Sequence, residues 1–181
     1  MGFKQLKPNP RFVLETKGDR LKIGVISDTH IANKIEHIPG IILDVFKQMD
    51  MVIHAGDMVV LQAIDELKTV CPKVVAVAGN MDHETVRKKY PAKQVFEILG
   101  YKIGLMHGCG SPLNLVELLK NSFKTDNPDI IVFGHSHKPM NEFIGEVLFF
   151  NPGSATDFTA EYNSYGIIEI NEGINARIIK I

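Results

Sequence analysis

Cysteine is scarce in this chain: Cys71 and Cys109 are the only two in 181 residues. A small secreted fold stapled by disulfides carries more of them, so both are expected as free thiols in a reducing compartment. Long apolar runs are missing as well. None approaches the ~20 residues that span a bilayer. The first 20 residues are polar and interrupted by Pro8 and Pro10, unlike a secretory leader. Leu6 stands where a myristoylation signal has Ser or Thr. The expectation is a cytoplasmic protein with no membrane attachment. A surplus of one charge is also lacking, since 20 Lys and Arg face 21 Asp and Glu. That excludes a global basic field drawing the chain onto nucleic acid or anionic lipid. There is no internal repeat and no Walker-type Gly-Lys-Ser/Thr motif. Gly108-Cys109-Gly110 imitates a dinucleotide loop, but without the third glycine or the strand–turn–helix context.

What is present suits one domain with a sizeable core. Residues 1–20 read as an N-terminal appendage with a short edge strand at 11–15, and residues 21–181 as the domain. Apolar runs predict strands at 21–27, 51–53, 73–78, 94–99, 102–106 and 130–133. Spacings of three and four predict helices at 39–49, 61–70 and 112–123, the last capped by Ser111. A short helix is expected at 84–89. A hairpin turns at Gly100-Tyr101. From residue 143 only strands are expected, at 143–144, 147–150, 166–170 and 176–181. Alternating strands and helices favour a parallel sheet covered by helices, and the later strands a second sheet packed on the first. The predicted architecture is an α/β sandwich of two sheets flanked by helices.

Five of these strands run into residues that bind metal. Residues 23–27 lead to Asp28-Thr29-His30, and residues 51–55 to Gly56-Asp57. Residues 74–78 lead to Gly79-Asn80, 103–106 to His107-Gly108, and 130–133 to Gly134-His135-Ser136-His137. Ligands of α/β sheets bind outside the carboxyl ends of the strands. Five such ends would gather Asp28, His30, Asp57, Asn80, His107, His135 and His137 in one crevice. Taken singly, an Asp or Asn after a strand is a turn former and a lone His a hydrogen-bonded structural residue. Repetition across five strands argues against coincidence. Imidazole and carboxylate without thiolate suit Mn, Fe, Co, Ni or Zn. Seven donors exceed the needs of one ion with open positions and suffice for two that share a ligand.

This ordered set resembles the calcineurin-like metallophosphoesterase superfamily. Gly79-Asn80-Met81-Asp82, the late Asn151-Pro152-Gly153-Ser154 and the compact size resemble its small bacterial and archaeal phosphodiesterase branch. The resemblance implies a four-layer αββα sandwich of two mixed sheets and two divalent transition ions, Mn first among them. One ion would take Asp28, His30, Asp57 and His137, the other Asp57, Asn80, His107 and His135, with Asp57 bridging. The implied activity is hydrolysis of small phosphate diesters by a metal-bridging hydroxide. A nucleic-acid substrate is not expected, and a homo-oligomer is left open. A retromer subunit of the same fold offers the alternative, a non-catalytic scaffold.

The resemblance also marks departures. Many superfamily members carry His directly after the Asn, where it is thought to assist the leaving group; here that residue is Met81. His83 is the candidate substitute, or else an exposed helix-start residue. Asp82 would orient Asn80 or the site water, or cap the helix at 84–89. Cys109, where relatives often have a second His, reads as a buried filler in preference to a soft accessory ligand. His54, inside a strand, reads as a hydrogen-bonded core residue. The loop at 151–154 lacks the basic residue that often follows it in relatives, so phosphate grip is not expected from it.

Overall fold

The computed structural model describes residues 20–31, 36–157 and 160–181. The strand expected at 11–15 lies outside them. The described chain begins with β1 (Leu21–Ile26), α1 (Gly40–Phe46), β2 (Met51–His54), α2 (Gln62–Val70), β3 (Val74–Ala76) and α3 (Glu84–Lys89). It continues with β4 (Lys93–Ile98), β5 (Tyr101–Met106), a 3-10 turn at Pro112–Asn114, α4 (Leu115–Ser122) and β6 (Ile130–Val132). It ends with β7 (Met140–Ile144), β8 (Val147–Asn151), β9 (Ser164–Ile170) and β10 (Ile174–Lys180).

These strands make two mixed five-stranded sheets, in the orders β10-β9-β1-β2-β3 and β4-β5-β6-β8-β7. In the first, β1, β2 and β3 are parallel, joined through α1 and α2, while β9 and β10 run antiparallel. In the second, β5, β6 and β8 are parallel between antiparallel β4 and β7. The near-continuous apolar runs have their reason here: β1, β2 and β6 are covered on both faces. Ile23, Val25 and Ile53 meet Leu105, Val132 and Phe150 between the sheets. Phe46, Ile64 and Leu67 press α1 and α2 onto the outer face of the first sheet. Leu119 and Phe123 press α4 onto the second. The result is a four-layer αββα sandwich. No helix among the described residues is long and apolar enough to cross a membrane.

Local differences from the predicted elements have local causes. The β4–β5 turn falls at Leu99-Gly100, both with positive φ, one residue earlier than expected. Two left-handed residues match the twist of a two-residue hairpin. The helix expected at 112–123 opens as a 3-10 turn, with the Ser111 hydroxyl accepting from the Leu113 amide as the expected cap. β7 begins three residues before its predicted start, because Asn141 and Glu142 are exposed and break its apolar pattern.

Candidate metal centre

The expected strand ends converge from both sheets rather than from one. β1, β2 and β3 deliver Asp28, Asp57 and Asn80, while β5 and β6 deliver His107 and the 135–137 loop. The β1 and β2 loops are zipped together by the Asp28 amide on the Gly56 carbonyl and the His30 amide on the Asp57 carbonyl, each at 3.0 Å. The sheets are joined where the His135 amide donates to Asp28 Oδ2, 3.2 Å away. Gly134 makes that approach feasible: a Cβ there would lie 1.9 Å from Ser27 Oγ and 2.7 Å from Asp28 Oδ2. A Cβ on Gly79 would lie 2.2 Å from Asp57 Oδ1.

Two groups of donors result, Asp28 with His30 and His137, and Asp28 with Asp57 and His107. Within each, the donor atoms lie within 4.8 Å of one another. His137 Nε2 is 3.2 Å from Asp28 Oδ1 and 3.3 Å from His30 Nε2. His107 Nε2 is 3.2 Å from Asp57 Oδ2. The carboxylate common to both groups is Asp28, whereas the resemblance gives the bridging role to Asp57. Asn80 and His135 sit at the margin, with His135 Nδ1 2.9 Å from Asn80 Oδ1 and Nε2 2.8 Å from the Gly110 carbonyl oxygen. The His135 ring also stands edge-on to that of His107, centroids 5.4 Å apart.

Asp28, His30, Asp57, His135 and His137 all have left-handed backbone, with φ between 44° and 70°. Such conformations cost on the order of 1–3 kcal/mol each and persist where surrounding structure imposes them. Here the inter-loop hydrogen bonds impose them, turning each donor back over its strand end.

His107 Nδ1 lies 2.7 Å from the Ala55 carbonyl oxygen. A carbonyl only accepts, so Nδ1 carries a proton, and it is Nε2 that faces Asp57 and Asp28, with its lone pair whenever the ring is neutral. Among the described residues, Asp28 Oδ1 and His107 Nε2 are buried without a hydrogen-bond partner. Buried orphans of this kind are rare and point to a missing partner. A bound cation satisfies a carboxylate oxygen and an imidazole lone pair together, so the residues present fit divalent metal.

Electrostatics agree. Burial works to lower the His107 ring, but the Asp57 and Asp28 carboxylates facing Nε2 outweigh it and raise its pKa. His137 is raised to about 9, first by the Asp28 carboxylate beside its Nε2, against burial and with help from Asp157. Burial works to raise Asp57, yet His107 and the Met81 amide hold it below the ordinary carboxylate range. The cluster is short of positive charge at its centre.

The Asp82 carboxylate is buried and accepts from the Val59 and Gly79 amides, each at 2.6 Å, tying together the loops that carry Asp57 and Asn80. It does not cap α3; the cap position is His83, with no side-chain capping bond. Val59 is a β-branched residue at φ 72°, held there by that tie. His83 is exposed, as is Met81, whose amide donates to Asp57 Oδ1 at 2.7 Å. Cys109 is exposed rather than a buried filler, because it lies on the open loop after β5. Both cysteines are free thiols. His54 is the core residue expected. Its Nδ1 accepts from the Gly56 amide at 3.2 Å, so Nε2 carries the proton toward Thr29 Oγ1, 3.0 Å away.

Sequence reasoning passed over Asp157, whose Oδ2 lies 2.5 Å from His137 Nδ1. Nothing in the local sequence marks it; only the fold brings it to a histidine 20 positions away. A cleft of about 440 Å³ opens beside it, lined by His135, His137, Lys138 and Tyr162. A second, of about 550 Å³, lies against Asn80, His107, Arg87 and Tyr90.

Residues 21–173 match the calcineurin-like phosphoesterase superfamily domain. A probable metallophosphoesterase of Methanocaldococcus jannaschii is 34% identical over 169 residues, 91% of this chain and 83% of that protein. A solved archaeal phosphodiesterase superposes with a TM-score of 0.72 at 26% identity, over 89% of this chain and 100% of that one. Vps29 of Entamoeba histolytica, solved with Zn2+, superposes with a TM-score of 0.72 at 26% identity, over 88% and 99%.

Proposed function

The chain belongs to the calcineurin-like phosphoesterase superfamily, and from that premise we propose that it is a phosphodiesterase that hydrolyses small phosphate diesters with two divalent transition ions. The observation that carries this reading is the pair of buried, unpartnered donors, Asp28 Oδ1 and His107 Nε2, in a crevice of carboxylates and imidazoles. Asp28, His30, Asp57 and His137 would hold one ion, and Asp57, Asn80, His107 and His135 the other. Mn is the favoured ion, with Ni, Fe, Co and Zn sharing the same ligand preferences. When bound, the ions supply Lewis acidity to phosphoryl oxygens and an activated water.

The protein's own part is to hold its donors in place and to manage protons. The Ala55 carbonyl keeps the His107 lone pair turned inward. Asp82 keeps the Asp57 and Asn80 loops in register. His83, exposed two residues beyond Met81, is the candidate proton donor to the departing oxygen. The clefts on either side suit the two arms of a small diester. A cytoplasmic location belongs to the same proposal and rests on the two free thiols.

The likeness to Vps29 favours a second reading, a non-catalytic scaffold. The deciding experiment is hydrolysis of bis(p-nitrophenyl) phosphate by chelated protein, with and without added Mn2+. Release that depends on Mn2+ is expected. Full metal occupancy without turnover of any diester would sink the enzyme and leave the scaffold.

A further inference from the structure

The loop that follows β8 is bonded to both halves of the first donor group. The Ser154 hydroxyl donates to the Asp28 carbonyl oxygen at 2.8 Å and accepts from the Asp157 amide at 3.0 Å. The Thr156 hydroxyl donates to the Thr29 carbonyl oxygen at 2.8 Å. At the root of the loop, the Asn151 side-chain amide donates to the Gly134 carbonyl oxygen at 2.8 Å. Ser154 and Thr156 are fully or almost fully buried, and Asp157 is buried. Asp157 is therefore fixed from its own backbone outward, and its carboxylate meets His137 Nδ1 at 2.5 Å. On the far side of that ring, Nε2 faces Asp28 and His30.

We propose that Asp157 is a positioning residue: by holding the Nδ1–H of His137, it turns the Nε2 lone pair of that ring onto the ion held with Asp28 and His30. An imidazole has two ring nitrogens and can present either one. A carboxylate accepts but cannot donate, so it selects the form with the proton on Nδ1. It also increases the electron density that the ring offers at Nε2. Partners of this kind, bonded to the outer nitrogen of a metal-binding histidine, typically change metal affinity ~10–100-fold when removed. The role rests on the metal-centred reading above and assigns a function to a residue with no part in it there.

The test uses the full chain, as wild type, Asp157→Ala and Asp157→Asn. Two readouts are taken: Co2+ titration followed by visible absorption, and 1H–15N NMR of the histidine rings in Zn2+-loaded protein. Wild type is expected to show a strongly downfield Nδ1–H proton on His137, with Zn2+ on Nε2. Asp157→Ala should lose that signal and weaken one Co2+ equivalent ~10–100-fold while leaving the other. Asp157→Asn, whose amide oxygen still accepts, should recover part of both. Unchanged affinity and an unchanged ring signal in Asp157→Ala would overturn the role. Equal weakening of both ions in the two variants would overturn it too, since that marks general damage. A wild-type chain that takes up no ion would instead sink the functional reading, and this role with it.

Discussion

Gly104 of β5 and Phe123 at the end of α4 share one space: a Cβ on Gly104 would lie 2.7 Å from the Phe123 ring. Gly24 of β1 stands in the same relation to Phe46 at the end of α1, also at 2.7 Å. Each sheet thus gives up one side chain in a central strand so that a phenyl ring from its covering helix can rest against the backbone. Gly104→Ala should therefore force the ring aside in a packed layer, at a cost of ~1–3 kcal/mol. The urea midpoint should fall accordingly, and a midpoint equal to wild type would refute the packing argument. Gly100→Ala makes the contrast, since nothing surrounds that position and only the strain of φ 82° is added.

The bridging role proposed for Asp57 predicts how ions are lost. Asp57→Asn should reduce binding at both ions, whereas His30→Ala should keep close to one equivalent. Elemental analysis after dialysis against Mn2+ measures this directly. An Asp57→Asn protein that retains one tight ion would transfer the shared role to Asp28, the carboxylate common to both groups. Wild type should also melt higher with ions than after chelation. Ligand at 100 times its dissociation constant stabilises by about 2.7 kcal/mol.

Much of this candidate site was legible in the sequence because each donor lies within a few residues of the end of an apolar strand, and strand ends are where α/β folds place ligands. The αββα layering was legible for a related reason: strands covered on both faces are apolar throughout. Three features were not. The left-handed backbone at Asp28, His30, Asp57, His135 and His137 has no signature, since Asp and His adopt it more readily than most residues but still in a minority of positions. The partition of the strand ends between two sheets depends on pairing, which periodicity does not encode. Asp157 is a single carboxylate in a polar loop until the fold sets it against His137.

His54 predicts an acid instability. Burial lowers its pKa from the usual 6.5 to about 3. Between those values the unfolded chain binds a proton on His54 that the folded chain refuses. Folded-state stability therefore falls as pH drops through that window, by roughly 1.4 kcal/mol per unit from this residue. His54→Asn keeps an acceptor for the Gly56 amide and removes the titration. In chelated protein, so that ion release does not enter, the slope of unfolding free energy against pH should flatten by about one proton. An unchanged slope would show that His54 is already protonated in the folded chain.

Met81 predicts a dependence on leaving group. Its backbone amide holds Asp57 Oδ1 while its side chain is half exposed, so a new side chain can be placed there without breaking that bond. The ions proposed for this site would supply Lewis acidity and an activated water, but no proton to the departing oxygen. A phenolate of low pKa leaves unaided, whereas an alkoxide needs a proton, and general-acid help is worth ~10²–10⁴-fold in rate. A thioether cannot give it. Across a series of methyl aryl phosphate diesters, the wild-type rate should therefore fall steeply as the phenol pKa rises. Met81→His, which places an imidazole directly after the Asn, should flatten that line and gain most on the poorest leaving groups. His83→Ala separates the alternative. If the wild-type line is already shallow and His83→Ala makes it steep, His83 is the acid and Met81 is no handicap. If His83→Ala changes nothing and Met81→His flattens the line, the proton is missing in this chain and diesters with good leaving groups are its substrates.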